Sequence, residues 1–446
     1  MKKRTLCFLL LIYTALPFIT GAQTGKPYDT TINGVKVIVQ PSGNDILVIQ
    51  TIIRGGVQNY PADKAGIENL ALKALTECGT ANDDKNSFKN KLDKVSARIN
   101  GSTNMDYATI NMNCIRSDFE TVWPLYVDAI TKPRFDPKEF ERIRQDAINI
   151  LRANESDPDQ SLERMAKMTA FAGKPYAIDP NGTVDIVSKL TSEETRRYWQ
   201  SILSRSRMIV VVVGDLDKIT IANKVKALTA LIPQGKPVVF KKESYQPGVN
   251  TFKPQQRDNA TNYILGISSA PLPGTPDYNA YVLAMRLFSM RHFIEIRSKN
   301  GLSYAPGAWL SQGLTPFTNV YVTTTEPDKY IITARKLIDS IRQKGFTPEE
   351  LKNIKTQYIT GVYYNQETNE SQASALVANE VWFNNWRRAY TIKDEMKKVT
   401  LNDLNNAFSK YLNNITWVYQ GDPKKVNQNL FIQKQVPQIA KETKTF

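Results

Sequence analysis

FDPKEFERI, residues 135–143, returns further along the chain as FTPEELKNI, residues 346–354. Each copy reads as the start of a helix, with proline and acidic residues in the first turn and apolar residues at helical spacing behind them. The echo extends outward in order. TSEETRRYWQSIL (191–203) is answered by TLNDLNNAFSKYL (400–412), and VGDLDK from Val213 by QGDPKK from Gln420. Three matches with slowly drifting offsets indicate a duplication of about half the chain, far longer than a solenoid repeat.

Two homologous domains follow, at 23–231 and 260–446. IPQGKPVVFKKESYQPGVNTFKPQQRDN, residues 232–259, is rich in Pro, Gly, Lys and Gln and reads as the linker between them. Within the first copy, periodicity predicts strands at 34–40, 46–54, 106–114 and 207–213. Helices are predicted at 66–77, 84–97, 117–131, 137–154, 159–171, 192–204 and 217–230. In the second copy, strands at 262–268, 318–325 and 415–419 alternate with helices at 277–297, 328–343, 348–363, 370–384 and 401–412. The fold class is α+β, each half an antiparallel sheet with helices covering one face.

The 446 residues exceed what one core usually serves, which agrees with two domains. Lys2, Lys3 and Arg4 precede an apolar run from Leu6 to Ile19, and Thr20-Gly21-Ala22 offers small residues for cleavage. Residues 1–22 therefore read as a signal peptide, and the mature chain as an exported protein, periplasmic or extracellular. No later stretch is long and apolar enough to predict a membrane span. The formal net charge of +15 falls by three when the signal leaves. The remaining positive residues are spread out and match no nucleic-acid-binding motif. Cys78 and Cys114 survive maturation, and nothing in the sequence decides whether they pair.

There is one histidine, His292, so sites that need two are excluded by counting. A lone histidine reads as packed or surface-exposed before it reads as catalytic. The aromatics Trp382, Phe383, Trp386 and Tyr390 fall near helical spacing and read as core or interface. DKAGIENLALKALTECGT, residues 63–80, reads as a helix whose core stripe is Ile67, Leu70, Ala71, Ala74 and Leu75. Asn69, Leu72, Lys73 and Thr76 lie on the other face.

With the duplication, this stretch resembles the insulinase, pitrilysin and mitochondrial processing peptidase family. Active members carry H-x-x-E-H on a helix that follows a strand ending in Gly-Gly and that ends near Gly-Thr. Arg54-Gly55-Gly56, Ala65-Gly66-Ile67 and Gly79-Thr80 supply that frame. In the motif, positions i, i+3 and i+4 share a face, so two histidines hold zinc while the glutamate activates its water. Here those positions are Asn69, Leu72 and Lys73. The family's further zinc glutamate, on a later helix, falls at Ile150. Glu68 and Glu77 do not replace the histidines. The resemblance therefore implies a chain without zinc and without catalytic residues of its own.

Two more motifs carry the resemblance. NGSTNMDYAT, residues 100–109, is similar to the family's edge strand that pairs with extended peptide, which implies substrate contact by Asn100, Gly101 and Ser102. FIEIRSKNGLSYAPGAW, residues 293–309, is similar to the R-x-x-x-G-L-x-Y signature, with Arg297, Gly301, Leu302 and Tyr304 in register. The resemblance implies that Arg297 and Tyr304 face peptide substrate across a clam-like cavity. Some members work as pairs, which implies a homologous H-x-x-E-H partner subunit that holds the zinc. The alternative is a catalytically silent peptide-binding or scaffold protein. An independent hydrolase finds no G-x-S-x-G or other nucleophile motif.

Overall fold

The computed structural model describes residues 25–433, so the signal-peptide reading of 1–22 lies outside the described residues. The first half holds strands β1 (Tyr28–Ile32), β2 (Val35–Pro41), β3 (Ile46–Arg54), β4 (Arg98–Thr103), β5 (Tyr107–Ile115) and β6 (Met208–Gly214). Its helices are α1 (Ile67–Glu77), α2 (Lys85–Asp93), α3 (Phe119–Thr131), α4 (Pro137–Ser156), α5 (Pro158–Ala170), α6 (Val184–Val187), α7 (Ser192–Ile202) and α8 (Lys218–Ala230). The second half holds β7 (Thr251–Gln256), β8 (Asn262–Ser268), β9 (Gly307–Ser311), β10 (Phe317–Thr324) and β11 (Ile415–Gly421). Its helices are α9 (Asp277–Phe293), α10 (Pro327–Lys344), α11 (Pro348–Tyr364), α12 (Asn369–Phe383), α13 (Arg388–Lys398), α14 (Leu401–Tyr411) and α15 (Asn429–Ile432).

The repeated motifs land on equivalent elements. Asp136 caps α4 and Thr347 caps α11, each with proline at the first helical position. Thr191 and Thr400 form capping boxes on α7 and α14. The sheets run β1-β2-β6-β3-β5-β4 and β7-β11-β8-β10-β9. Each is antiparallel except for one pair, β2 with β6 and β7 with β11, so the all-antiparallel expectation is corrected there. β7 also lies inside the expected linker. Its Pro254 is tolerated because β7 is an edge strand, where a missing N–H costs no ladder bond.

Helices cover both faces of the first sheet, not one, and the second layer comes from the other half. Leu47, Ile49, Ile53, Val210 and Val212 join the main core of the first half. The alternate residues Val48, Ile52, Ile209, Val211 and Val213 pack on Ala373, Leu376 and Val377 of α12. In return α5 lies on β8 and β11. Leu265, Ile267 and Val418 of the second sheet share a core with Leu162 and Ala166. α5 and α12 begin at corresponding points of the duplicated sequence, after Asp157 and Thr368. Each half thus gives one helix to its sister, and neither sheet keeps an open apolar face.

Polar contacts follow the exchange. Lys36 pairs with the nearly buried Glu380 at 2.7 Å. Asp106 is buried and accepts from Tyr176 Oη (2.5 Å), the Leu314 amide (3.0 Å) and Trp382 Nε1 (2.9 Å). Burial pushes its carboxyl above the usual range, and these hydrogen bonds oppose the shift. Trp386 is buried and the Tyr390 hydroxyl donates to Gln40, so these aromatics serve the contact between halves. Cys78 and Cys114 are both buried and do not pair among the described residues, and burial pushes the Cys78 thiol up to about 12.

Candidate functional site

Strand β3 delivers the chain into Gly55-Gly56, both at positive φ. A Cβ at Gly55 would stand 2.0 Å from the Asn59 side chain, and one at Gly56 would stand 2.4 Å from the Met105 carbonyl. Only glycine lets the turn pass this close. The chain then enters α1 through Gly66, also left-handed at φ 91°.

The three positions of the motif have unlike surroundings. Asn69 is half-buried and its Nδ2 donates to Asn181 Oδ1 at 3.2 Å. Lys73 is half-buried. Leu72 is fully buried, a member of the main core. Ile150 is 52 % exposed on α4, which packs beside α1. The sequence places Leu72 on a face away from the core; the structure corrects this, because β4 lies directly over it. Ile99, Gly101 and Thr103 of β4 face α1, and Arg98, Asn100 and Ser102 point the other way. No group of three or more His, Cys, Asp or Glu capable of holding a metal ion occurs among the described residues.

Glu68 is the residue that sequence reasoning undervalued. Its carboxylate is wholly buried and accepts from Thr103 Oγ1 (2.6 Å), Tyr198 Oη (2.6 Å) and Asn59 Nδ2 (3.2 Å). Burial pushes its carboxyl above the usual range, while these three bonds and the Arg207 charge pull it down. Arg207 Nη1 in turn donates to Asn59 Oδ1 at 2.6 Å. The network joins α1 to β4, to α7 and to the turn after Gly56. Glu77 is tied to Arg142 Nη2 at 2.7 Å. Both acids beside the motif therefore have structural partners.

β4 is an edge strand, paired with β5 on one side only. Asn100 and Ser102 are exposed on it, and Gly101 is half-buried against Leu72.

Arg297 lies where α9 widens into a π turn, Ile294–Lys299. Gly301 at φ 62° and the bond from the Leu302 amide to the Ile296 carbonyl (2.9 Å) fold the chain back. That return sets the Tyr304 ring under the guanidinium of Arg297, 4.1 Å from centroid to Cζ. Phe293 lies on another side of the same guanidinium at 5.1 Å. Tyr304 is 79 % exposed, and Arg297 has no acidic partner among the described residues. Met290, Phe293, Ile294 and Trp309 are also exposed nearby in sequence. The pair shares no hydrogen bond or ring contact with Asn69, Leu72 or Lys73 among the described residues. His292 is fully buried, its Nε2 3.2 Å from Tyr330 Oη, and plays no part in this surface.

The family model for insulinase, peptidase family M16, matches residues 37–183, and that for the peptidase M16 inactive domain matches residues 189–358. The chain belongs to the M16 peptidase family. At the four positions that the family resemblance assigns to the zinc site it carries Asn69, Leu72, Lys73 and Ile150. Over 436 residues it is 20% identical to the non-peptidase homolog YmxG of Helicobacter pylori, covering 93% of this chain and 99% of that protein. The structure of a peptidase M16 inactive domain from Pseudomonas fluorescens superposes with a TM-score of 0.80 at 15% identity, over 90% of this chain and 99% of that one. The periplasmic protease PqqL of Escherichia coli gives 0.77 at 14% identity, over 94% of this chain and 49% of that one. These M16 likenesses establish the fold of two helix-covered sheets. No helix among the described residues is long and apolar enough to cross a membrane.

Proposed function

We propose that this chain is the non-catalytic subunit of an exported zinc metallopeptidase. It binds extended peptide and completes the cavity of a homologous partner chain that carries H-x-x-E-H and the zinc. The observation that carries the reading is the contrast between its two motif regions. At the zinc-motif helix every chemical position is lost, and Leu72 is sealed into the core. At the other region Arg297 and Tyr304 are kept and stacked, Tyr304 exposed and Arg297 half-buried, with no acidic partner for Arg297 among the described residues. A guanidinium held by ring faces keeps its hydrogen-bond donors available for a peptide carbonyl or carboxylate.

In this reading peptide adds to the free edge of β4 through main-chain hydrogen bonds, beside Asn100, Gly101 and Ser102. The chain units 23–231 and 260–446 are the two M16 domains, and both subunits work in the periplasm or outside the cell. Co-expression with an H-x-x-E-H homologue tests it. The expected result is a stable complex that cleaves peptides, with zinc in the partner alone and activity lost when Arg297 becomes Ala. Full activity of the Arg297→Ala complex would remove the substrate-contact role.

A second reading, a peptide-binding or scaffold protein with no proteolytic role, draws on the same burial of Leu72. The core has closed over that position, which serves stability with or without a partner. A complex that binds peptide and never cleaves it would favour this second reading.

A further inference from the structure

A cavity of about 870 Å³ borders the approach to α1, with Ala65 in its wall, but none of Asn69, Leu72, Lys73, Arg297 or Tyr304 lines it. Its walls are the turns after Gly56, the C-terminal end of α5 with the loop behind it, α6, and residues 239–241 of the connecting segment. Two fixed points hold these walls. Gln58 pairs both ways with the Lys241 backbone, donating to its carbonyl (3.1 Å) and accepting from its amide (3.0 Å). Tyr176, in the turn Pro175–Ala177, is tied to Asp106.

The lining is mostly apolar. Val57, Ala65, Ile178 and Ile186 contribute to it, as do Met168 and Val239, which are 53 % and 89 % exposed. Charge within it is one-sided, with Arg164, Lys174 and Lys241 against the single carboxylate of Asp179. Arg164 spends only Nη1 on Glu155 (3.0 Å), so Nε and Nη2 have no protein acceptor among the described residues. Lys174 stands 3.7 Å from Glu243, a long and exposed pairing. Lys241 has no ion pair among the described residues.

We infer that this cavity binds a small amphiphilic carboxylate, an apolar chain ending in an acid group of the fatty-acid kind. The volume falls within the range of small-molecule sites, about 300–1,000 Å³, and such sites combine apolar walls with a few polar anchors. The apolar lining takes the chain, and the free edge of the Arg164 guanidinium takes the carboxylate in the fork geometry that suits it. An added peptide strand is disfavoured, because Gln58 already occupies the amide and carbonyl of Lys241. A small inorganic anion would leave most of the apolar wall uncovered. The site is independent of the peptidase reading.

Calorimetric titration of the delipidated mature chain with decanoate tests the inference, with uncharged decanol as control. The expected result is one decanoate per chain, with decanol about tenfold weaker. Arg164→Gln brings decanoate to the level of decanol. Ala62→Trp, at an exposed position on the cavity wall, abolishes binding of both while circular dichroism and melting temperature stay unchanged. Should Ala62→Trp misfold, Val239→Trp at another exposed wall position gives the same reading. Absence of decanoate binding, equal binding of decanol, or unchanged binding in the folded tryptophan variant would each overturn the proposal.

Discussion

A Cβ placed on Gly101 would stand 2.8 Å from the Cβ of Leu72, so strand β4 and helix α1 touch through a residue with no side chain. Real Cβ atoms do not approach this closely, so the contact has no room for more volume on either side. Gly101→Ala is expected to cost about 1–3 kcal/mol through overpacking. Leu72→Ala is expected to cost about 2–5 kcal/mol, because it empties a filled core position. Urea unfolding measures both. A Gly101→Ala variant as stable as the parent would mean that β4 is free to move off the helix. Leu72→Glu, alone or with histidines at 69 and 73, is expected to unfold the helix seat before it binds zinc.

Glu68 holds α1 to the same face of that strand, through Thr103. Glu68→Leu deletes three accepted hydrogen bonds and leaves the Tyr198 and Thr103 hydroxyls without their acceptor. An expected loss of about 1–3 kcal/mol per stranded polar group follows from their burial. Glu68→Gln keeps the shape but gains an NH₂ group that cannot accept, so it falls between Leu and the parent. Calorimetric melting of the three proteins gives the order. If Glu68→Leu melts with the parent, the network has no share in anchoring the helix.

The central strands were legible because β3, β6, β8 and β11 are runs of β-branched and apolar residues between turns. Periodicity missed the edge strands β1, β4, β7 and β9, and only the family resemblance marked 100–109 as an edge strand, since segments such as RINGST and GAWLS are short, mixed in polarity and carry glycine. That omission explains the misplacement of Leu72, whose outer face is covered by β4. The zinc-motif positions could be found by register along one helix. Glu68 could not be weighed, because Asn59, Thr103 and Tyr198 are distant in sequence and a lone carboxylate reads as solvated. α5 and α12 were legible as helices, but periodicity does not say which sheet a helix covers.

The exchange of α5 and α12 predicts that the halves do not fold alone. Residues 260–446 expressed by themselves would leave the β8–β11 face bare of Leu162 and Ala166. Residues 23–231 would leave Val48, Ile52, Val211 and Val213 without α12. The expected outcome is aggregation or a loosely packed state for each fragment, and one cooperative transition for the whole chain. Leu376→Ala in the full chain is expected to cost about 2–5 kcal/mol although it lies in the other half's sequence. A soluble fragment with a sharp melting transition of its own would show that the borrowed helix is dispensable.

His292 gives the chain a pH limit that can be read at one residue. Burial pushes its imidazole down to about 3, its Nε2 faces Tyr330 Oη, and its Nδ1 has no partner among the described residues. The unfolded chain takes up the proton near pH 6.5, the folded chain only near the depressed value. The stability is therefore fully present above about pH 6.5 and is lost as pH falls toward the folded pKa, by about 1.4 kcal/mol per unit. Between about pH 7 and pH 4 this one group removes roughly 3 kcal/mol. Carboxylates titrate in the same range, so the comparison is with His292→Gln, whose loss over that interval should be smaller by that amount. As the only histidine in the chain, it also gives a single imidazole signal in an untagged sample. That signal should stay in its neutral position through pH 5 while the protein remains folded, and a midpoint near 6.5 in the folded state would refute the buried, neutral assignment.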